Sequence, residues 1–298
     1  MPLTARAQTV QANQAQLARE TQPLVGPTPY PGGAPPTEQA IASPNDTDLG
    51  EQQILKRKEE YQPFTISASV PVYYTSNVAL TPSHELSDVV TAPVVAVYYQ
   101  PRLASNLYGV VDARQQLFYY GKYNSFDFGS LDLEAGLTYI VPEFHGLILH
   151  GEYDFNRLTS SDRVLDEFFQ DHTLILNAEL PLRINRAQQL ALGADVNLSL
   201  AADHQSPRRN DYEAYAGYTA FLTRAFSING VGRVVVRDYH QNDRTDVSEV
   251  FSFSANYQLT PWWAVSAIAT FAHSDSNQDI FDYNVANAGA GMALTAKF

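Results

Sequence analysis

The sequence lacks several features that would point to common classes of protein. It has no cysteine, which excludes a disulfide framework, a thiolate metal site and a cysteine nucleophile. No apolar run approaches the roughly 18–20 residues of a membrane-spanning helix, which excludes a helical membrane protein. Lysine and arginine total 19 against 32 aspartate and glutamate residues, and no basic stripe is present. This balance argues against a nucleic-acid partner.

Motifs for catalysis and cofactor binding are also missing. No G-x-S-x-G, H-E-x-x-H, glycine-rich phosphate loop or EF-hand loop occurs. Two segments place an acid near a histidine, Asp238-Tyr239-His240 and His273-Ser274-Asp275, and each could form half of an acid/base pair. Seven histidines in a polar chain make such neighbours expected by chance. We predict no enzyme activity, no cofactor and no bound metal, and keep a rim-located enzyme as a third hypothesis.

Alternating segments are the main feature that the sequence does contain. Tyrosine and phenylalanine are abundant, at 18 and 15 residues, and both favour strands and membrane-interface girdles. Each alternating segment has about the 9–11 residues that a tilted strand needs to cross a bilayer. The pattern predicts about twelve strands, at 64–74, 90–100, 106–119, 130–140, 146–156, 172–182, 190–200, 212–223, 226–237, 249–258, 263–273 and 285–298.

The fourth to seventh predicted strands alternate most regularly. In the sixth, Leu174, Leu176 and Ala178 alternate with Thr173, Ile175 and Asn177, so one face is apolar and the other mostly polar. Short and long connections also alternate along the chain, as they do in an up-and-down barrel with turns at one end and loops at the other. An even number of strands puts both ends of the barrel segment on the same side.

The C-terminal strand alternates back from its last residue. Phe298, Ala296, Leu294 and Met292 are apolar, and small or polar residues stand between them. This segment resembles the closing strand of bacterial outer-membrane β-barrels, whose assembly machinery reads such a C-terminal aromatic. The resemblance is to that broad, porin-like class and covers about residues 63–298. It implies an all-β, up-and-down antiparallel transmembrane barrel of about twelve strands. A soluble sandwich or a secreted barrel is the alternative.

The resemblance also implies a location and partners. It places the chain in the outer membrane, in contact with outer-membrane lipid and lipopolysaccharide. Phe298 is then the assembly signal that the outer-membrane assembly machinery reads. The acids Asp162, Asp166, Glu167 and Asp171 lie in a predicted long loop. They would either bind divalent cations that bridge to lipopolysaccharide or, as is more usual for such residues, be solvated.

Residues 1–62 differ in composition from the barrel at 63–298. The stretch 8–21 is rich in glutamine and alanine and favours a weak helix, and the proline-rich 23–48 predicts an extended linker. The charged stretch 50–61 indicates a short helix or an adapter. We expect a mostly disordered periplasmic tail, which offers a site for a periplasmic partner. Ala5-Arg6-Ala7 fits the pattern that precedes a signal-peptidase cleavage site, but the charged and apolar regions of a signal peptide do not come before it. The match is explained by a chain that starts near the mature N-terminus, by a misplaced start, or by chance.

The inward positions of the strands carry charges of both signs. Acids dominate strands four to seven, whereas arginines lie on strands three and nine, roughly opposite each other in a barrel of twelve. Two interpretations remain open: a narrow, mildly cation-selective pore, or a salt-bridge network that closes the lumen. The preferred function is a passive channel for small polar or charged solutes. The alternative is a structural barrel that anchors or docks a partner through its tail or loops. The predicted pore-lining residues are Asp112, Arg114, Asp132, Glu134, His150, Glu152, Asp154, Glu179, Asp195, Glu213, Arg233 and Arg237.

Overall fold

The computed structural model describes residues 3–20, 61–160 and 167–298. In these residues the chain forms one α-helix, three short 3₁₀ turns and a closed antiparallel barrel of twelve strands, the second of which is interrupted. The predicted fold is therefore confirmed. The elements are α1 (Leu3–Glu20), β1 (Phe64–Thr75), β2 (Asp88–Thr91), β3 (Val94–Tyr99), β4 (Leu107–Tyr120), β5 (Phe128–Val141), β6 (Leu147–Ser160), β7 (Glu167–Arg183), β8 (Gln188–Asp203), β9 (Arg209–Phe221), β10 (Phe226–Tyr239), β11 (Thr245–Thr260), β12 (Trp263–Ser276) and β13 (Tyr283–Lys297).

The second strand of the wall is divided into β2 and β3 by Ala92 and Pro93. Both parts pair with β1 and with β4, so the wall continues across the interruption. Proline has no backbone N–H to give to the ladder. The Pro93 carbonyl still accepts a hydrogen bond from the Leu117 backbone N–H at 3.0 Å, and the Ala92 N–H donates to the Pro71 carbonyl at 3.0 Å.

The barrel closes through β1 and β13. Their antiparallel register runs from Thr65 opposite Lys297 to Thr75 opposite Asn287. Phe64 and Phe298 exchange backbone hydrogen bonds at 3.2 and 2.8 Å, so pairing continues to the last residue. Closure removes the unpaired sheet edges that an open sheet would expose.

The strands extend further than the sequence predicts, most clearly at the end of the long loops. Strand β7 begins at Glu167 rather than at 172, and β11 begins at Thr245 rather than at 249. The reason is that the hydrogen-bonded ladder continues above the apolar band, where strand residues no longer need to be lipophilic. We call this the long-loop end of the barrel, and the other the short-turn end.

Helix α1 lies inside the barrel at the long-loop end. The weak helix predicted for 8–21 is confirmed, with bounds at Leu3 and Glu20. Ala12 and Ala15 pack against inward residues of β4–β7, and Leu17 packs against inward residues of β11–β13. The described helix is neither long nor apolar enough to cross a membrane. The predicted linker at 23–48 and nearly all of the adapter at 50–61 lie outside the described residues, and the periplasmic tail stays a prediction.

Candidate functional site in the barrel lumen

All twelve predicted pore-lining residues lie on the inner face of the wall. They alternate with outward residues such as Leu133, Leu137 and Val234, which are 41%, 50% and 48% exposed. By contrast, Asp112, Asp132 and Arg237 are almost completely buried. Whether these residues line a conducting path stays a prediction. The set occupies β4 (Asp112, Arg114), β5 (Asp132, Glu134), β6 (His150, Glu152, Asp154), β7 (Glu179), β8 (Asp195), β9 (Glu213) and β10 (Arg233, Arg237).

Carboxylates stand side by side across adjacent strands. Asp112 is directly opposite Glu134, and Glu134 is directly opposite Asp154. Like charges at directly opposite positions destabilise a sheet. A row of three carboxylates therefore has no structural advantage of its own, which makes it a candidate for function.

The arginines pair with carboxylates close to them on the wall. The Arg233 guanidinium lies 2.6 Å from Glu213 Oε1 on the adjacent strand, and Arg114 lies 3.6 Å from Asp112 on its own strand. The sequence predicts these arginines on opposite walls and leaves open a network across the lumen. These two ion pairs are local instead, because an arginine side chain reaches neighbouring strands before it can span a twelve-stranded barrel.

The inner wall of β5–β10 encloses an acidic cavity of about 330 Å³. Seven carboxylates and two guanidinium groups line it, so its formal charge is strongly negative. Seven of the twelve predicted residues contribute to it, including His150. The charged lining residues are Glu134, Glu152, Asp154, Asp171, Asp195, Asp211, Glu213, Arg209 and Arg233.

A second cavity of about 380 Å³ lies against the other half of the wall and has little charge. Ser67, Ser69, Ser266 and Thr295 are among its lining residues, and Arg114 is the one charged side chain that the described part of the chain contributes to it. Of the twelve predicted pore-lining residues, Arg114 alone lines this second cavity. The available signal was a hydroxyl residue at alternate positions of β1 (Thr65, Ser67, Ser69) and at several alternate positions of β12 (Ser266, Thr270, Ser274).

Hydrogen bonds fix several polar side chains of the acidic half. His150 bonds Thr138 Oγ1 through Nδ1 at 2.7 Å and Glu152 Oε2 through Nε2 at 2.6 Å. The Tyr215 hydroxyl donates to Glu179 at 2.9 Å, and the Arg233 guanidinium lies 5.5 Å from the centre of the Tyr215 ring. Tyr215 was not among the predicted residues, although it lies two positions after Glu213 on β9 and the alternation puts both on the inner face.

Two apolar clusters line opposite sides of the lumen at the long-loop end. The Phe118 and Phe128 rings stack with centroids 4.3 Å apart, and both are buried. The inward residues predicted from the sequence are all polar. The pattern does not indicate that inward side chains become apolar near the long loops. We call the two clusters together the apolar collar. It consists of Val90, Phe118, Tyr120, Phe128, Leu158 and Phe169 on one side and Val250, Ala272, Tyr283 and Val285 on the other.

The segments that pair an acid with a histidine are split by the alternation of the strands. His273 Nε2 lies 3.2 Å from Asp275 Oδ1 on the outer face, whereas Ser274 is fully buried in the wall and bonds Ser248 at 2.8 Å. In the other segment Tyr239 is buried, and His240 approaches Asn210 at 3.3 Å. Neither segment brings a nucleophile and a base together. Within the described ranges, no group of three or more acids and histidines is placed to hold a metal ion.

Two of the four acids predicted in a long loop lie in strand β7 instead. Glu167 begins β7 and lies 2.7 Å from the Arg157 guanidinium. Asp171 lies within β7, lines the acidic cavity and accepts a hydrogen bond from Ser199 at 2.6 Å. Asp162 and Asp166 lie outside the described residues.

Comparison with known proteins bears on the fold. No protein-family model and no curated protein matches the sequence. An outer membrane channel from Pseudomonas putida F1 matches the structure with a TM-score of 0.58 and 13% sequence identity, over 79% of this chain and 96% of that one. The translocator domain of the autotransporter NalP from Neisseria meningitidis matches with a TM-score of 0.42 and 11% identity, over 78% and 87%. The fold is that of a bacterial outer-membrane β-barrel, which locates the chain in that membrane.

Proposed function

We propose that this protein is a passive outer-membrane channel for small polar or charged solutes, with a mild preference for cations. The observation that carries the proposal is the acidic cavity inside the lumen, where seven carboxylates face two arginines. A confined wall of one sign raises the local concentration of counter-ions. Enzymatic activity is not part of the proposal, although Thr138, His150 and Glu152 form a row of hydroxyl, imidazole and carboxylate on the inner wall.

A structural barrel is the second candidate. The observation in its favour is helix α1, which occupies the long-loop end of the lumen and contacts both sides of the apolar collar. In that case the barrel would hold or dock a partner through residues 1–62 or the loops, and the internal charges would serve stability alone.

Single-channel recording on the refolded protein tests the first proposal. We expect a small conductance whose reversal potential in a KCl gradient indicates a preference for K⁺. The double variant Asp132→Asn with Glu152→Gln should reduce that preference, because two lumenal charges are removed. The matched control is Glu249→Gln with Asp275→Asn, which removes two exposed carboxylates from the outer wall.

Ionic strength supplies a second readout. The cation preference should weaken above about 1 M salt, where the Debye length falls to roughly 3 Å. If the control variant changes selectivity as much as the lumenal variant does, the inward carboxylates are not the cause. Insertion without conductance, in the wild type and in the variant Ala15→Lys, which places a charge where α1 packs against the wall, would contradict the channel and favour the structural barrel.

A further inference from the structure

Helix α1 makes its apolar contacts on two opposite sides of the lumen. Ala15 is 2% exposed and packs with Ala12 into the collar residues of β2 and β4–β7. Leu17 is equally buried and packs against the collar residues of β11–β13. The helix therefore bridges the lumen at the level of the apolar collar.

One set of polar contacts fixes the register of the helix. Asn13 Oδ1 accepts hydrogen bonds from the Arg209 guanidinium and, at 3.3 Å, from the Tyr239 hydroxyl. Arg209 is itself held by the Asp211 carboxylate at 2.9 Å and lines the acidic cavity. We call the contact between Asn13 and Arg209 the latch.

The helix is joined to the wall by side chains. Gln14 donates to the Val78 carbonyl at 3.0 Å, and Gln11 donates to the Phe126 carbonyl at 3.4 Å. Among the described residues no backbone hydrogen bond links α1 to a strand or loop, whereas every neighbouring pair of strands shares a backbone ladder. Removing the helix would therefore break no strand pairing.

The tether behind the helix is long enough to permit release. The described chain resumes at Tyr61, whose hydroxyl bonds the Gln100 carbonyl and whose ring lies 6.2 Å from that of Tyr108 at the short-turn end. The intervening residues 21–60 can span at most about 130–145 Å, by the length of a fully extended chain. A bilayer with its headgroups is only about 40–45 Å thick.

We propose that α1 is a releasable plug. Seated in the apolar collar, with the latch formed, it closes the lumen at the long-loop end. The channel conducts when the helix leaves the collar. This inference rests on the proposed channel function, and it adds the element that controls opening.

Two lysine substitutions test the proposal by recording. Ala15→Lys places an ammonium group in the apolar collar and should raise the fraction of time spent open at least tenfold. Ser83→Lys is the control, because it adds the same charge at an exposed loop position outside both apolar clusters and both cavities. Its open fraction should stay within about twofold of the wild-type value.

Cysteine accessibility measures helix release without relying on conductance. Because the chain has no cysteine, Ala15→Cys gives a single labelling site for a membrane-impermeant maleimide. We expect slow labelling, and at least fivefold faster labelling when Asn13→Ala removes the latch. The measurement needs only the folded barrel, which heat-dependent migration on a gel verifies.

The outcomes separate the two proposals. Unchanged open fraction in Ala15→Lys, together with labelling that Asn13→Ala does not accelerate, would overturn the plug and make α1 a permanent part of the lumen. Accelerated labelling in a protein that never conducts would support helix release and contradict the proposed channel. Conduction with residue 15 inaccessible throughout would support the channel and overturn the plug.

Discussion

Buried charged residues of the lumen are stabilised by partners of opposite charge. Arg233 and Glu213 are both almost fully buried and lie 2.6 Å apart on adjacent strands. A buried carboxylate that loses its cationic partner is strongly destabilising. The pair therefore ties the stability of the wall to the charge of the acidic cavity.

The Arg233→Ala variant tests this coupling. We expect the free energy of unfolding to fall by about 3–5 kcal/mol, because Glu213 loses its guanidinium partner in a buried setting. We also expect a stronger cation preference, since one positive charge leaves the acidic cavity. Urea titration of the folded barrel and reversal potentials measure the two effects.

A neutral replacement of the pair is the control for Arg233→Ala. The double variant Arg233→Met with Glu213→Gln should recover most of the stability, because neither buried charge remains. A single variant as stable as the wild type would mean that water, rather than Arg233, satisfies Glu213.

Each strand of the barrel has one face toward lipid and the other toward the lumen. Strand β7 places Leu176 on its outer face, 48% exposed, and Asn177 on its inner face, where its amide donates to Tyr215 at 3.2 Å. Adjacent residues of one strand therefore meet lipid and lumen respectively.

Arginine substitutions at these neighbours should differ sharply. Leu176→Arg places a charge in the apolar band and should destabilise the inserted barrel by about 2–4 kcal/mol, whereas Asn177→Arg should be tolerated far better. Leu192→Arg, on the same outer face of β8, should behave as Leu176→Arg does. The fraction of folded protein in isolated membranes measures the effect. Equal tolerance of arginine at both positions would contradict the assignment of Leu176 to the lipid face and Asn177 to the lumenal face.

At the scale of the whole molecule, one seam closes the barrel. Strands β1 and β13 are the first and last of the wall, and Phe298 completes their pairing with Phe64 through two backbone hydrogen bonds. The two rings also lie 6.2 Å apart at the short-turn end. The last residue thus has a structural role in addition to its predicted role as an assembly signal.

Deletion of Phe298 should slow assembly in cells and leave the finished barrel largely intact, because the remaining seam still pairs from Thr65 to Thr75. Pulse–chase measurement of the heat-resistant folded form gives the rate. Lys297→Ala is the control, since it changes a neighbouring side chain and keeps the terminal aromatic. Wild-type assembly kinetics after the deletion would argue against the assembly signal.

The sequence by itself determined the number, order and orientation of the strands. Period-two alternation is a local property, and the lipid outside requires an apolar residue at every second position, as Leu174 and Leu176 illustrate. The same alternation placed all twelve predicted residues on the inner face. Strand ends at the loops were less accurate, because above the bilayer no apolar requirement marks them.

Only the tertiary structure decided what the lumen contains. Arg233 and Glu213 are 20 residues apart, and Asn13 and Arg209 are 196 apart, so their contacts depend on register and closure rather than on any local pattern. The apolar collar is likewise assembled from single residues of many strands. The weakly helical N-terminal segment lies inside the barrel because its alanines and Leu17 bury apolar surface against the collar and so remove it from water.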